Sequence, residues 1–266
     1  MNEKKILFLE EVGKGPLNLL EAFGEPILLA AKAFGSILRG KIHRGNALSQ
    51  LSLIGVDSFP IALLTALSVG MVFTMQVASE FIRFGATSAI GGVAAIAIAR
   101  ELAPLLTGVV VAGRVGAAIA AELGSMKVTE QIDALKVMAT DPVDFLVAPR
   151  VLACVTMLPL LTLLANIIGI FGGGMVAVAL KGVSPQLFFD SVQQLLTAGD
   201  VFRGLIKAAC FGAIIAVVGC QKGLATSNGA QGVGRSTTDA VVISLITIFV
   251  SNYFLSSLLY PGSSLK

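Results

Sequence analysis

The sequence predicts an all-α, multi-pass membrane protein: an N-terminal interfacial helix, then five transmembrane helices, with a short helix in the polar link between spans 2 and 3. Three observations carry that reading. Hydrophobic residues make up 55% of the 266 and charged residues only 13%, with a mean hydropathy of +0.88, which is a poor fit to a soluble chain. Five predominantly apolar stretches reach the roughly 20 residues needed to cross a bilayer. Glycine contributes 29 residues, as in spanning helices packed closely through small side chains.

Residues 1–50 read as an N-terminal amphipathic segment. Pro16 and Pro26 break it, and so do Lys14, Glu21, Glu25, Lys32, Arg39, Lys41 and Arg44, leaving no run long enough to cross. Residues 27–38 are expected to lie along the membrane surface, with the basic side chains reaching headgroups; a soluble helical hairpin is the alternative. The opening MNEKKILFLEEVGKG carries acids and too short an apolar run for a signal peptide, so insertion falls to the internal spans.

Residues 51–266 hold the spans. The first, about residues 58–80, is uncharged through Ser79. The second, about 92–122, contains Arg100, Glu101 and Arg114. The uncharged piece between them rises only about 18 Å, short of the roughly 30 Å hydrocarbon core, so at least one charge must sit in low-dielectric surroundings. Gly113, Ala117 and Ala121, with Gly116, Ala120 and Gly124, form two small-residue ridges. The third span, about 150–180, is expected to bend at Pro159, and places Gly169 and Gly173 at the spacing of helix dimers. Residues 181–200 read as a mixed loop whose Phe188 and Phe189 dip toward the membrane surface. The fourth span, about 201–221, carries Arg203 and Lys207 at its start; residues 221–235 read as a polar loop, and the fifth span covers about 239–260.

The link at residues 123–149, with its flanks, is the one long polar block in the second half: Glu122, Lys127, Glu130, Asp133, Lys136, Asp141, Asp144 and Arg150. Val128, Ile132, Leu135 and Met138 recur every three or four residues, so they share one stripe of a short amphipathic helix, which Asp141-Pro142 is expected to stop. Such a stripe needs a receiver. If the N-terminus is cytoplasmic, Lys4, Lys5, Lys14, Lys32, Arg39, Lys41, Arg44, Lys127, Lys136, Arg150, Lys222 and Arg235 fall inside and only Arg83, Lys181, Arg203 and Lys266 outside. That bias turns the block toward the cytoplasm, or toward the stroma in an organelle.

Several functions are excluded. A net charge of +3, without a basic run interleaved by aromatics, gives no basis for nucleic-acid binding. Cys154, Cys210 and Cys220 lack CxxC spacing and His43 is the one histidine, so the thiols read as packing groups rather than metal ligands or a disulfide framework. No Ser/His/Asp set can be assembled. Gly13-Lys14-Gly15 and Gly40-Lys41-Ile42 lack the spacing and hydroxyl of a phosphate-binding loop, so the chain does not bind ATP by that motif. What remains is the layout of a non-enzymatic permease driven from outside the chain.

The runs ARELAPLLTGVVVAGRVGAAIAAELG, GSMKVTEQIDALKVMATDPVDFLVAPRVLA and GVGRSTTDAVV resemble the MlaE/YrbE permeases of ABC-type lipid transporters, over about residues 55–259. The resemblance implies a homodimer of five-span subunits in a bacterial inner membrane or plastid inner envelope, residues 51–266 being the permease domain. It also implies a separate ATPase carrying ATP and Mg, with no cofactor in this chain, an MCE-domain protein on the far side, and a phospholipid held in the dimer cavity. The ATPase would dock through Glu122, Lys127, Val128, Glu130, Ile132, Asp133, Leu135 and Met138. Phe73, Glu80 and Phe81 match positions that face the cavity. For Arg100 and Glu101 two readings stand: a polar rim that orients headgroups, or an internal ion pair fixing helix register. Arg114 and Glu122, eight residues apart, are expected to stabilise the inner end of their span, and Lys207 to snorkel rather than meet a lipid phosphate. Ala103 and Asn252 depart from the family's usual glycine and occasional aspartate. A non-transporting scaffold and an ion-coupled secondary transporter are the alternatives, the latter weakened by the lack of an internal repeat.

Overall fold

The computed structural model describes residues 24–40 and 43–260, and among these every regular element is helical. In chain order they are α1 (residues 24–38), α2 (Arg44–Gly55), α3 (Phe59–Arg83), α4 (Thr87–Val128), α5 (Gln131–Val137), α6 (Val143–Lys181), α7 (Pro185–Leu195), α8 (Ala198–Leu224) and α9 (Gly229–Leu259). Five stretches are long and apolar enough to cross a membrane: Gly45–Arg83, which joins α2 to α3 through a corner at residues 56–58, and α4, α6, α8 and α9. The part of the N-terminal segment before residue 24 lies outside the described residues.

The bundle is built around α6 and α8. Helix α6 packs against α2, α3 and α8, and α8 against α4, α6 and α9. Their shared core contains Val115, Ile119, Leu123, Val151, Cys154, Leu158, Phe211, Ile215 and Cys220. Small residues set the closest approaches. On α3 every fourth residue is small and buried (Ala62, Ala66, Gly70, Thr74, Ala78), and this seam meets the glycines of α6. A methyl on Gly70 would stand 2.2 Å from the Gly169 carbonyl oxygen, and one on Gly173 2.2 Å from Thr74 Oγ1. The Gly169/Gly173 spacing expected of a dimer seam therefore serves a crossing inside one chain. Of the two ridges on α4, Gly116-Ala120-Gly124 packs on α8 and its extension, where added methyls would crowd Ile215 and Thr226; Gly113 of the other ridge faces open space.

Two expected loops are mostly helix. Residues 185–195 form α7, started by an extended Ser184 and by Pro185, whose missing amide costs nothing in a first turn. Phe188 is buried among Ala78, Ile90, Ala177 and Val183, and Ser191 Oγ accepts the Gly92 amide at 2.9 Å, tying α7 to the start of α4. Between α8 and α9 only residues 225–228 intervene; Asn228 and Gly229 both take positive φ there.

Three π turns interrupt the long helices: Ile98–Leu102 and Ala112–Gly116 in α4, and Val143–Val147 at the start of α6. Each carries a charged residue, Arg100 with Glu101, Arg114, and Asp144.

Candidate functional site

Toward the end of the bundle that carries α7, the α4 charges meet α8 and α9. Proline at position 104 has no amide, so the Arg100 carbonyl four residues earlier loses its helical donor, and Lys207 Nζ of α8 takes that place at 3.0 Å. Lys207 is wholly buried and also donates to Glu101 Oε2 at 2.7 Å and Ser256 Oγ at 2.9 Å, which uses its three hydrogens. Glu101 further accepts from Ser256 Oγ at 2.8 Å and Asn252 Nδ2 at 3.2 Å. Arg100 reaches Asp200 Oδ1 through Nη2 at 2.8 Å and Nε at 2.9 Å. Asp200 closes the capping box of α8 with Thr197, and its carbonyl accepts the Tyr260 hydroxyl at 3.2 Å. The Tyr260 ring lies under the guanidinium groups of Arg100 and Arg203, at 4.8 and 5.6 Å. Two cations thus face two anions at a depth where an unpaired charge is costly.

Arg100 and Glu101 also line a cavity of about 530 Å³, walled by Val93, Ile96 and Ala97 of α4 and by Tyr253, Ser256 and Tyr260 of α9. Its walls are mostly apolar, with Arg100, Glu101, Ser256 and Ser257 among the polar groups. Phe73, Glu80 and Phe81 do not line it. Glu80 pairs with Arg83 at 3.2 Å on an exposed face of α3, and Phe81 packs beside Ala78 and Phe188.

One expectation is corrected by these contacts. Lys207 does not snorkel; it is the buried centre of the network. Arg100 and Glu101 each form an internal pair with α8, Arg100 with Asp200 and Glu101 with Lys207. Arg114 and Glu122 each tie α4 to another part of the chain: Arg114 reaches back to the α2–α3 corner, to Asp57 Oδ2 at 3.3 Å and Ser58 Oγ at 2.8 Å, and Glu122 binds Arg150 at 2.7 Å.

At the opposite end, α4 gives way to α5 through Thr129 and a left-handed Glu130 at φ 60°. That turn splits the expected stripe. Ile132 is 2% exposed and, with Leu135, packs into the main core, whereas Val128 and Met138 point away and Val137 joins them at 89% exposure. Val128 belongs to the end of α4, so helical spacing does not carry across to α5. Lys127 and Lys136 both bind Asp133, at 3.2 and 2.8 Å, and these bonds, Lys136 first, hold its carboxyl below the usual range. Helix α5 ends before Ala139, at φ 56°; Asp141 Oδ1 accepts the Val143 amide at 2.8 Å, so Asp141-Pro142 starts α6 rather than stopping α5.

The residues that sequence reasoning missed are Asp57, Arg150, Asp200, Ser256 and Tyr260, together with the roles of Lys207 and Asn252. Two signals were present for some of them: a proline four residues after Arg100, and Thr197-x-x-Asp200 as a capping box. The other pairings join positions far apart in the chain.

Five spans long and apolar enough to cross a membrane, with the charges inside them closed by their own partners and a polar helix beyond them, make a multi-pass membrane protein. Residues 47–258 match the family described as Permease MlaE, and the chain belongs to that family of ABC transporter permeases. A probable ABC transporter permease protein of Synechocystis is 54% identical over 88% of this chain and 89% of its own length. The chloroplastic protein TRIGALACTOSYLDIACYLGLYCEROL 1 of Arabidopsis thaliana is 45% identical over 89% of this chain and 67% of its own. A probable ABC transporter permease protein of Rickettsia typhi is 41% identical over 94% and 96%.

Proposed function

We propose that this chain is the permease subunit of an ATP-driven transporter that moves phospholipid or a related lipid between membranes. It works as a homodimer with a separate ATPase, which binds ATP and Mg, and with an MCE-domain protein on the far side. The ATPase docks at the cytoplasmic or stromal face, and the lipid headgroup meets the Arg100 and Glu101 cavity with its tails along the apolar walls. Membership of the ABC transporter permease family supports this reading. The single observation that carries the coupling is α5: it is anchored by Ile132 yet leaves Val137, and Met138 at its end, exposed beyond the spans, in a chain with no phosphate-binding loop. The lipid assignment draws on the cavity's amphipathic lining and on the Arabidopsis relative, whose name contains that of a lipid. An ion relay through Arg100, Glu101 and Lys207 is disfavoured because each group is already closed by a partner.

The test is purification with the co-encoded partners, followed by an ATPase assay and mass spectrometry of bound lipid. The expected result is ATP hydrolysis in the complex, none in this chain alone, and a co-purifying lipid. A dimer that holds no lipid and stimulates no ATPase would end the proposal.

A further inference from the structure

Three consecutive residues of the π turn Val143–Val147 are each held by a side chain, two of these from other helices and the third from the next turn of α6. Ser36 of α1 donates to Asp144 Oδ1. Asn46 of α2 donates to the Phe145 carbonyl at 3.3 Å. Arg150 donates to the Leu146 carbonyl at 2.7 Å and, through its other terminal nitrogen, reaches Glu122 of α4 at 2.7 Å. The sequence explains why the turn offers these groups. Pro149 has no amide, so the Phe145 carbonyl four residues before it lacks the usual α-helical donor, and Asn46 donates to it as Lys207 does to Arg100. The His43 ring also stands edge-on to Phe145, with centroids 5.6 Å apart. Arg150 is 3% exposed, and a buried guanidinium strongly resists losing its carboxylate.

The turn directly follows α5 and the short link at residues 139–142. Helix α5 has seven residues and, among the described ones, a single fully buried side chain, Ile132, so packing alone gives it a weak hold on the bundle. We propose that this π turn is the joint that passes displacement of α5 to α1, α2 and α4, with Ser36, Asn46 and Arg150 as its positioning residues. The inference rests on the reading of the chain as an ATP-driven permease, which supplies the displacement. It makes Glu122 an internal strut that ties the end of α4 to the start of α6. None of the three positioning residues lines the Arg100 and Glu101 cavity, so their effect belongs to coupling rather than to lipid contact.

The test uses the complex reconstituted in phospholipid vesicles, comparing wild type with Asn46→Leu, which removes the donor to Phe145, and Asn46→Gln, which keeps an amide. For Asn46→Leu, ATP hydrolysis should stay within about twofold of wild type while lipid moved per ATP falls about tenfold, and Asn46→Gln should restore most of the loss. Hydrolysis and transfer falling together, neither falling, or Gln behaving as Leu does would each overturn the joint. Hydrogen exchange on the purified permease separates this inference from its parent reading. Asn46→Leu and Ser36→Ala should speed exchange about fivefold or more in residues 139–147 while α3 and α6 beyond Pro159 stay protected; unchanged exchange sinks the joint whatever the vesicles report. A wild-type complex that hydrolyses ATP and moves no lipid counts against the parent reading alone.

Discussion

Near the α7 end, Lys207 is wholly buried and all three of its donors are taken, while Asp200 is 2% exposed and bound by Arg100 and Thr197. At the α5 end, Lys136 and Asp133 meet in the open, with side chains 57% and 48% exposed, and Val137 and Met138 stand in solvent. The same types of residue therefore carry different consequences. Where the surroundings are apolar, each charge must be closed by the chain itself or the fold loses stability. Where water is present, pairing is worth little and the side chains stay available to another surface. The α7 end is thus specified by self-consistency, and the α5 end leaves apolar and charged side chains exposed.

The sharpest way to break this contrast is Glu101→Ala. It strips the buried Lys207 of its carboxylate and should cost about 3 kcal/mol, read as a fall in thermal unfolding temperature in nanodiscs; the paired change Glu101→Leu with Lys207→Met should recover most of it. Next comes Ile132→Ala, at the one fully buried side chain of α5, expected to cost about 2–4 kcal/mol in the same measurement. By contrast Val137→Ser with Met138→Ser should leave stability within about 0.5 kcal/mol while weakening capture of the ATPase subunit in a pull-down. If the double serine variant destabilises the permease as much as Ile132→Ala does, the exposed face belongs to the fold and the contrast fails. The smallest effect is at Asp133. Its native carboxyl is held below its ordinary value of 3.8 by Lys136 and Lys127, so its contribution is complete above that value and is lost as pH falls through the lowered native one. Asp133→Asn should therefore lower the unfolding temperature slightly at neutral pH, and flatten its acid dependence below pH 3.8, where the wild type has lost the same contribution.

The spans were legible because length and hydropathy suffice to recognise a helix that crosses a bilayer, and the charges at Arg100, Glu101 and Arg114 already announced that partners were needed. The partners themselves were not. Asp200 lies 100 residues from Arg100 and Lys207 lies 106 from Glu101, and no local pattern ranks one distant charge above another. The π turns were hidden for a related reason: an added residue in one turn leaves composition untouched and only rotates the helix beyond it. Helix α7 was readable in principle from Ser184-Pro185, yet its low apolar content resembled a loop until Phe188 had a pocket to fill. At the α5 end the periodicity was real, but Glu130 in the left-handed region broke the helix across which it was counted.

If a motor outside the chain drives the bundle through the α5 end, lipid movement must depend on both ATP and the charges of that end. The most direct measurement is ATP-dependent lipid transfer between donor and acceptor vesicles by the assembled complex, wild type against Glu130→Lys with Asp133→Lys. Transfer should require ATP in the wild type and be lost in the charge-reversed complex even at protein levels that restore assembly. Transfer that proceeds equally without ATP, or a charge-reversed complex that transfers normally once assembled, would contradict a drive through α5.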